Sequence, residues 1–441
     1  MDRMPVFSSV SKAMDSGVKA SAAGISYRKD LAVRVCLFVL LAFCTATVFV
    51  KAAWPRETFQ IGIFALLALY LLWGFRQGKE CVAKGVAPLL VYFIPVWGMI
   101  QIIAHTTAST IETREAVLHW GALAAVFFLV QVVAQTTKAQ EMALHAFLFF
   151  ATAMAVLCLT QLFTSNGRVL WIFPSGYWEV YATFPSYNSY AQFIELALPI
   201  AVWFAIRSGT RSWGYILVAG TLYASVVGAA SRAGAILCTG ELLALLTIGV
   251  RLRRRTAQKS RIRSIAAVVT VVPLVAITFT TIVGWQRVWQ RFQNSDPYVL
   301  RTEFLKSTIE MAKDRPLIGY GLGTFPLVYP KHAIVDIPQY VNHAHNDWAE
   351  FAADGGIPFV LLVFLPFAVA IPKAIRHPWG FGVIALMLHA CLDFPFPRAA
   401  VSGWMFAMLG ILYMARTPDR QEHEAIDLGG PHRPAVLEFR R

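Results

Sequence analysis

Apolar residues in this 441-residue chain recur in blocks of about 18 to 23 with few charges inside them, and this pattern constrains the fold more than any motif. A helix of that length crosses about 30 Å of hydrocarbon, and in lipid only helices and closed barrels satisfy their own backbone polar groups. Hydrophobic residues make up 57% of the chain and charged residues 15%, against roughly 25% charged in soluble proteins. A soluble fold cannot hide that surface. The pattern predicts an all-α fold, a polytopic integral membrane helical bundle of about twelve transmembrane helices with a large helical loop on the outer side. The first block runs from Leu31 to Val50 and the last from Val401 to Met414. Residues 1–30 then form a cytoplasmic N-terminal segment, 31–416 the bundle including an outer loop at 286–355, and 417–441 a cytoplasmic tail. Lys51, Ala52 and Ala53 after the first block resemble a signal-peptide cleavage site, but the many later spans favour an uncleaved anchor.

The formal net charge is +14. Its Lys and Arg sit mainly in short segments between apolar blocks, such as Arg251, Arg253, Arg254, Arg255, Lys259, Arg261 and Arg263, as cytoplasmic loops require. The basic character therefore sets orientation with the N-terminus inside; membrane lipids surround the chain and nucleic acid is not a partner. The six cysteines lie in or beside apolar blocks with no CxxC pair, so neither a disulfide framework nor a cysteine metal site is indicated.

Two outer segments are longer than a turn needs, Ser165 to Asn188 and Gln286 to Gly355. In the larger, Leu300, Phe304, Leu305, Ile309 and Ala312 recur at helical spacing until Pro316. Leu317-Ile-Gly-Tyr-Gly-Leu-Gly-Thr-Phe follows and reads as a tight turn, since no strand precedes its three glycines. Val341-Asn-His-Ala-His-Asn-Asp-Trp then feeds into the tenth span. The imidazole of His345 suits proton transfer, while Asn346 and Asp347 are candidate caps of a short helix ending at Gly355 and Gly356. The alternation of His343, His345 and Asp347 also fits a metal on one face of a strand, although the helical sequence that follows argues against a strand. Arg232 and Arg301 lie at the outer edge of the apolar region, where a guanidinium either snorkels to headgroups or holds a diphosphate by forked hydrogen bonds. Asn188, Gln192 and Glu195 share one face of the sixth span, placed there for substrate or for interhelical hydrogen bonding.

Taken in order, these motifs resemble the O-antigen ligase family, which also holds O-antigen polymerases and related membrane glycan transferases. The resemblance runs over most of the chain: the segment from Thr183 and Phe184 to Pro199 with Asn188, then Ser231-Arg232, Arg301 four before Leu305, Pro316 to Phe325, and His345-Asn346 with Gly356 ten residues after Asn346. It implies a glycosyltransferase of the bacterial inner membrane with its site facing the periplasm. The donor would be a glycan on undecaprenyl diphosphate, the acceptor the lipid A core or another glycan. By resemblance Arg232 and Arg301 bind the donor diphosphate, His345 is catalytic, and Asn346, Asn188, His343, Asp347 and Gly356 support it. No metal or cofactor is implied, in keeping with the lack of an Asp-x-Asp triplet, and direct displacement inverts the anomeric centre. Where the family's ligase pattern usually has Gly, Thr or Tyr three residues after the glycine, this chain has Phe359, which bears on ligase against polymerase. A protein O-glycosyltransferase shares the chemistry. A transporter or flippase is the rival of another class, since Glu195 and Asp393 fall within apolar blocks, yet no repeat relates the halves and transport needs no long outer loop.

Overall fold

A computed structural model describes residues 30–74, 85–175, 179–208, 212–256, 296–335 and 340–415, with isolated helical positions between 268 and 293. Residues 1–29 and 416–441 lie outside them, and with them nearly all of the expected N-terminal segment (1–30), the whole expected tail (417–441) and most of the apolar block from Ile265 to Trp285, which reads as a further span. The described chain is helical but for a two-stranded hairpin, β1 (Arg168–Val169) and β2 (Phe173–Pro174), and one isolated bridge. Among the described residues seven helices are long and apolar enough to cross a membrane, so the chain is a multi-pass membrane protein. They are α2 (Trp54–Gly74), α3 (Val86–Ile103), α4 (Thr110–Val133), α5 (Thr137–Thr164), α6 (Tyr187–Arg207), α7 (Ser212–Ala229) and α11 (Asp347–Arg376). The first helix, α1, covers 30–46, and α8 (Arg232–Thr256) follows α7. Large apolar side chains such as Ile61, Leu72, Ile103 and Leu243 stand exposed, which is the surface that lipid covers.

The bundle is built around α6. Its apolar window is 94% buried, against 22% for α2, which places α6 at the centre and α2 at the rim. Against α6 pack α5, α7, α8, α12 (Phe381–His389) and α13 (Ala399–Met414). The approach of α12 is close because Gly382 presents no side chain to the Glu195 and Leu196 backbone.

At one end α9 (Asp296–Asp314), the residues from there through α10 (Phe325–Val328) to 335, and residues 340–346 pack on the bundle. The helix expected from Tyr298 to Lys313 is α9, and the glycine-rich stretch is the expected tight turn. Gly319, Gly321 and Gly323 all have positive φ. The turn docks on a break in α11 at Gly356 (φ 73°, ψ 174°), where Tyr320 N donates to Ala353 O (3.0 Å), Gly321 N to Asp354 O (2.9 Å) and Ile357 N to Pro316 O (2.8 Å). Gln101 from α3 locks the joint, its Nε2 donating to Ile318 O (2.6 Å) and Asp354 O (2.9 Å).

One boundary differs from the sequence reading. The apolar block from Phe381 to Phe394 reads as one helical span, whereas α12 stops at His389 and 390–398 is irregular. Pro395 and Pro397 disfavour helix at the residues before them. Three carbonyls of this break are paired: Ala390 O with Asp347 N (2.8 Å), Cys391 O with Asn346 Nδ2 (2.9 Å) and Leu392 O with Arg301 Nη1 (3.1 Å).

Candidate active site

The same three bonds assemble the site. Asn346 is the N-cap of α11, its Oδ1 accepting from Ala349 N (3.0 Å) while its Nδ2 holds Cys391 O. Asp347, the other candidate cap, instead binds the break: its Oδ2 accepts from Phe396 N (3.0 Å). Segments 343–347 and 390–396 are thereby stapled together, and His345 Nδ1 comes 3.0 Å from Asp393 Oδ1. Asp393 is 5% exposed and His345 30% exposed, so the carboxylate is buried behind an imidazole that reaches the surface. Burial alone would raise the Asp393 pKa, but the hydrogen bond and charge of His345, with the charges of His389 and Arg301, hold it well below the usual carboxylate range. An ionised Asp393 accepts only, so Nδ1 carries a hydrogen, and in the neutral ring Nε2 is the nitrogen with the free lone pair. His345 itself sits at φ 53°, a left-handed backbone that the paired segments impose.

Arg301 projects from α9 and joins the cluster through Leu392, the residue before Asp393. A cation there also offsets the negative C-terminal end of α12. Arg232 opens α8. Ser231 before it accepts from Gly234 N (3.2 Å) and donates to Asn188 Oδ1 (2.9 Å), so Asn188 acts by fixing the cap that positions Arg232. The two halves meet at Arg398, which donates to Ser186 Oγ (3.2 Å) and to Ser189 Oγ and lies 4.4 Å from the Phe394 ring centroid. Thus Arg301 and His345 are joined through adjacent residues, while Arg232 is reached through Ser231, Asn188 and the start of α6.

His343 forms a second imidazole–carboxylate pair. Its Nδ1 is 2.9 Å from Glu350 Oε1, whose other oxygen accepts from Ala344 N (2.8 Å). His343 stacks on Phe394 (4.2 Å, 26°) and His345 meets the same ring edge-on (5.0 Å, 72°). His343, His345 and Asp347 therefore go to three different partners and do not converge as one ligand set.

Deeper in the bundle, Glu195 Oε1 is 2.8 Å from His389 Nδ1, with both side chains fully buried. Replacing Glu195 with alanine strands a buried imidazole and is expected to destabilise the protein by about 3–5 kcal/mol. Glu195→Gln retains an acceptor and loses less. Thermal unfolding of both variants in nanodiscs checks the ranking.

The sequence reading singled out His345, His343, Asn346, Asp347, Gly356, Arg301, Arg232 and Asn188 as candidates. It missed Arg398 and His389, and noted Asp393 only as a transport residue. Arg398 met the criterion applied to the other two arginines, a guanidinium at the end of an apolar block; His389 had no local signal.

Residues 216–365 match the family model described as O-Antigen ligase. The match contains Arg232, Arg301, His343, His345, Asn346, Asp347 and Gly356, and it supports the family resemblance and, with it, ligase- or polymerase-type activity. Asn188, Asp393 and Arg398 lie outside the matched segment. No curated protein matches the chain.

Proposed function

We propose that this O-antigen ligase-like chain moves a glycan from undecaprenyl diphosphate to the lipid A core at the periplasmic face of the bacterial inner membrane. The observation that carries the reading is the His345–Asp393 pair at 3.0 Å with Arg301 anchored on Leu392, the adjacent residue. An acceptor hydroxyl gives its proton to His345 Nε2 as its oxygen attacks the anomeric carbon. The bond from that carbon to the diphosphate oxygen breaks, and the electron pair leaves with the undecaprenyl diphosphate. Arg301 and Arg232 offset the charge that grows on the leaving group, so the step needs no divalent metal, and displacement inverts the anomeric centre. The helix N-terminus carrying Arg232 adds its own attraction for an anion.

Transport is disfavoured because the two carboxylates a solute path would use are each taken by an imidazole, Glu195 by His389 and Asp393 by His345. Polymerase activity is the second reading, on Phe359. That side chain is fully buried against Trp120 and Phe351, where the ligase pattern usually has Gly, Thr or Tyr.

The test is transfer in proteoliposomes given undecaprenyl-diphosphate-linked glycan with chelator present. Glycosylated lipid A core supports the ligase, lengthened chains without core make it a polymerase, and no product with either removes the transferase reading. Lysine keeps the charge but loses the fork. Arg301→Lys and Arg232→Lys are each expected to reduce transfer about 10- to 100-fold, the equivalent of one charge-assisted hydrogen bond. Unchanged rates in both would refute diphosphate binding by these arginines.

A further inference from the structure

Beside the His345 cluster lies a polar hollow that the mechanism above does not use. It comprises adjoining cavities of 180 and 530 Å³, bounded by the starts of α2, α4 and α11 and by the glycine-rich turn. Both are lined by Arg56, Glu112 and His343. The larger alone falls within the roughly 300–1,000 Å³ of ordinary small-molecule sites.

The lining is held in place. Arg56 pairs with Glu115 (2.9 Å), His119 Nε2 sits 2.9 Å from Phe396 O, and His343 is fixed by Glu350. Asp354 also lines the smaller cavity. It is 4% exposed, and its Oδ2 accepts from Gly323 N (2.8 Å) while its Oδ1 has no hydrogen-bond partner. A buried acceptor without a partner calls for a donor from outside the chain.

The chemistry narrows the ligand. Glu112 and Glu115 would repel a phosphate, and an apolar ligand would leave the polar lining unpaired. A neutral polyol suits them, since each hydroxyl donates to a carboxylate and accepts from Arg56 or an imidazole. Position narrows it further. His343 lines the hollow and stacks on Phe394, whose edge meets His345, so one aromatic ring separates the hollow from the candidate base.

We propose that this hollow binds the terminal sugar of the acceptor glycan, with Glu112 and Arg56 on its hydroxyls and His343 at the edge that faces His345. The proposal rests on the transferase reading and adds where the acceptor is held. The attacking hydroxyl belongs to the edge of that sugar which extends out of the hollow past the Phe394 ring to reach His345.

The test uses the full chain in proteoliposomes with donor fixed and lipid A core varied, comparing Glu112→Gln and Arg56→Gln with wild type. Acceptor KM is expected to rise about ten-fold or more, the loss of one charged hydrogen bond, with kcat and donor KM nearly unchanged. Unchanged acceptor KM in both variants, or an equal rise in donor KM, overturns the assignment. Saturation-transfer NMR of delipidated core oligosaccharide on protein in nanodiscs, without donor, gives a readout independent of turnover. Binding that Glu112→Gln abolishes supports the site, and binding that both variants retain overturns it. If wild type binds the oligosaccharide but transfers nothing, the transferase reading fails while the sugar site stands. If it transfers and the variants match it, the reading stands and this site fails.

Discussion

Replacing His345 with glutamine is expected to lower glycan transfer by about 10²- to 10⁴-fold, the range general-base catalysis supplies. The ring tautomer sets the size of the effect. Asp393 stays ionised, so Nδ1 of His345 must donate to it, and Nε2 is left as the only ring atom that accepts a proton. Glutamine fills the space without a titratable nitrogen. Phe304 lies stacked against His345 at 6.2 Å and Phe394 meets it edge-on at 5.0 Å, which limits the ring to one orientation. Asp393→Asn is the more discriminating change. An asparagine amide that donates to Nδ1 moves the ring hydrogen to Nε2, where it blocks proton acceptance. The fall should then approach that of His345→Gln, although the imidazole is intact. Initial rates with lipid A core saturating, alongside donor binding to show that the diphosphate site survives, make the comparison. A His345→Gln protein that keeps half its rate would remove the base from the mechanism.

Which of these features the sequence announces follows a physical rule. Hydropathy reports helices through local composition, and most blocks appear as helices within a few residues; the block read as Trp213 to Val227 is α7, Ser212–Ala229. Backbone signals were legible for the same local reason. Asn346 before a helix and three alternating glycines are short-range requirements of a cap and a turn. The pairings were not legible. Glu195 and His389 are 194 residues apart, and His345 and Asp393 are 48 apart, so no spacing rule links them. Asp393 was also hidden by averaging, because the apolar run from Phe381 onward carries it as a passenger. Pro395 and Pro397 were the available sign that the helix ends early and that the polar residues there belong to a loop.

The largest structural effect is expected at Gly356. Its φ of 73° and ψ of 174° fall in a region essentially closed to residues with a side chain. A Cβ there would also lie 2.5 Å from the Leu317 carbonyl carbon and 2.8 Å from Ile318 N. These are backbone atoms of the glycine-rich turn, fixed by Gln101 and by Ile357 N to Pro316 O (2.8 Å), so they cannot yield as a side chain would. Gly356→Ala therefore adds a clash to about 1–3 kcal/mol of backbone strain. That is a large share of the roughly 5–15 kcal/mol that stabilises a folded protein. Gly214→Ala is the matched control, since a Cβ at that α7 position meets nothing within 4 Å and helix propensity favours alanine. In nanodiscs Gly356→Ala should melt well below wild type and Gly214→Ala at or above it. Activity should fall with the fold, because the break at Gly356 sets the direction of the first turns of α11, which carry Asp347 and Glu350 and, at the cap, Asn346. If Gly356→Ala melts with wild type and transfers normally, the kink is dispensable, and the docking of the glycine-rich turn does not hold the site together.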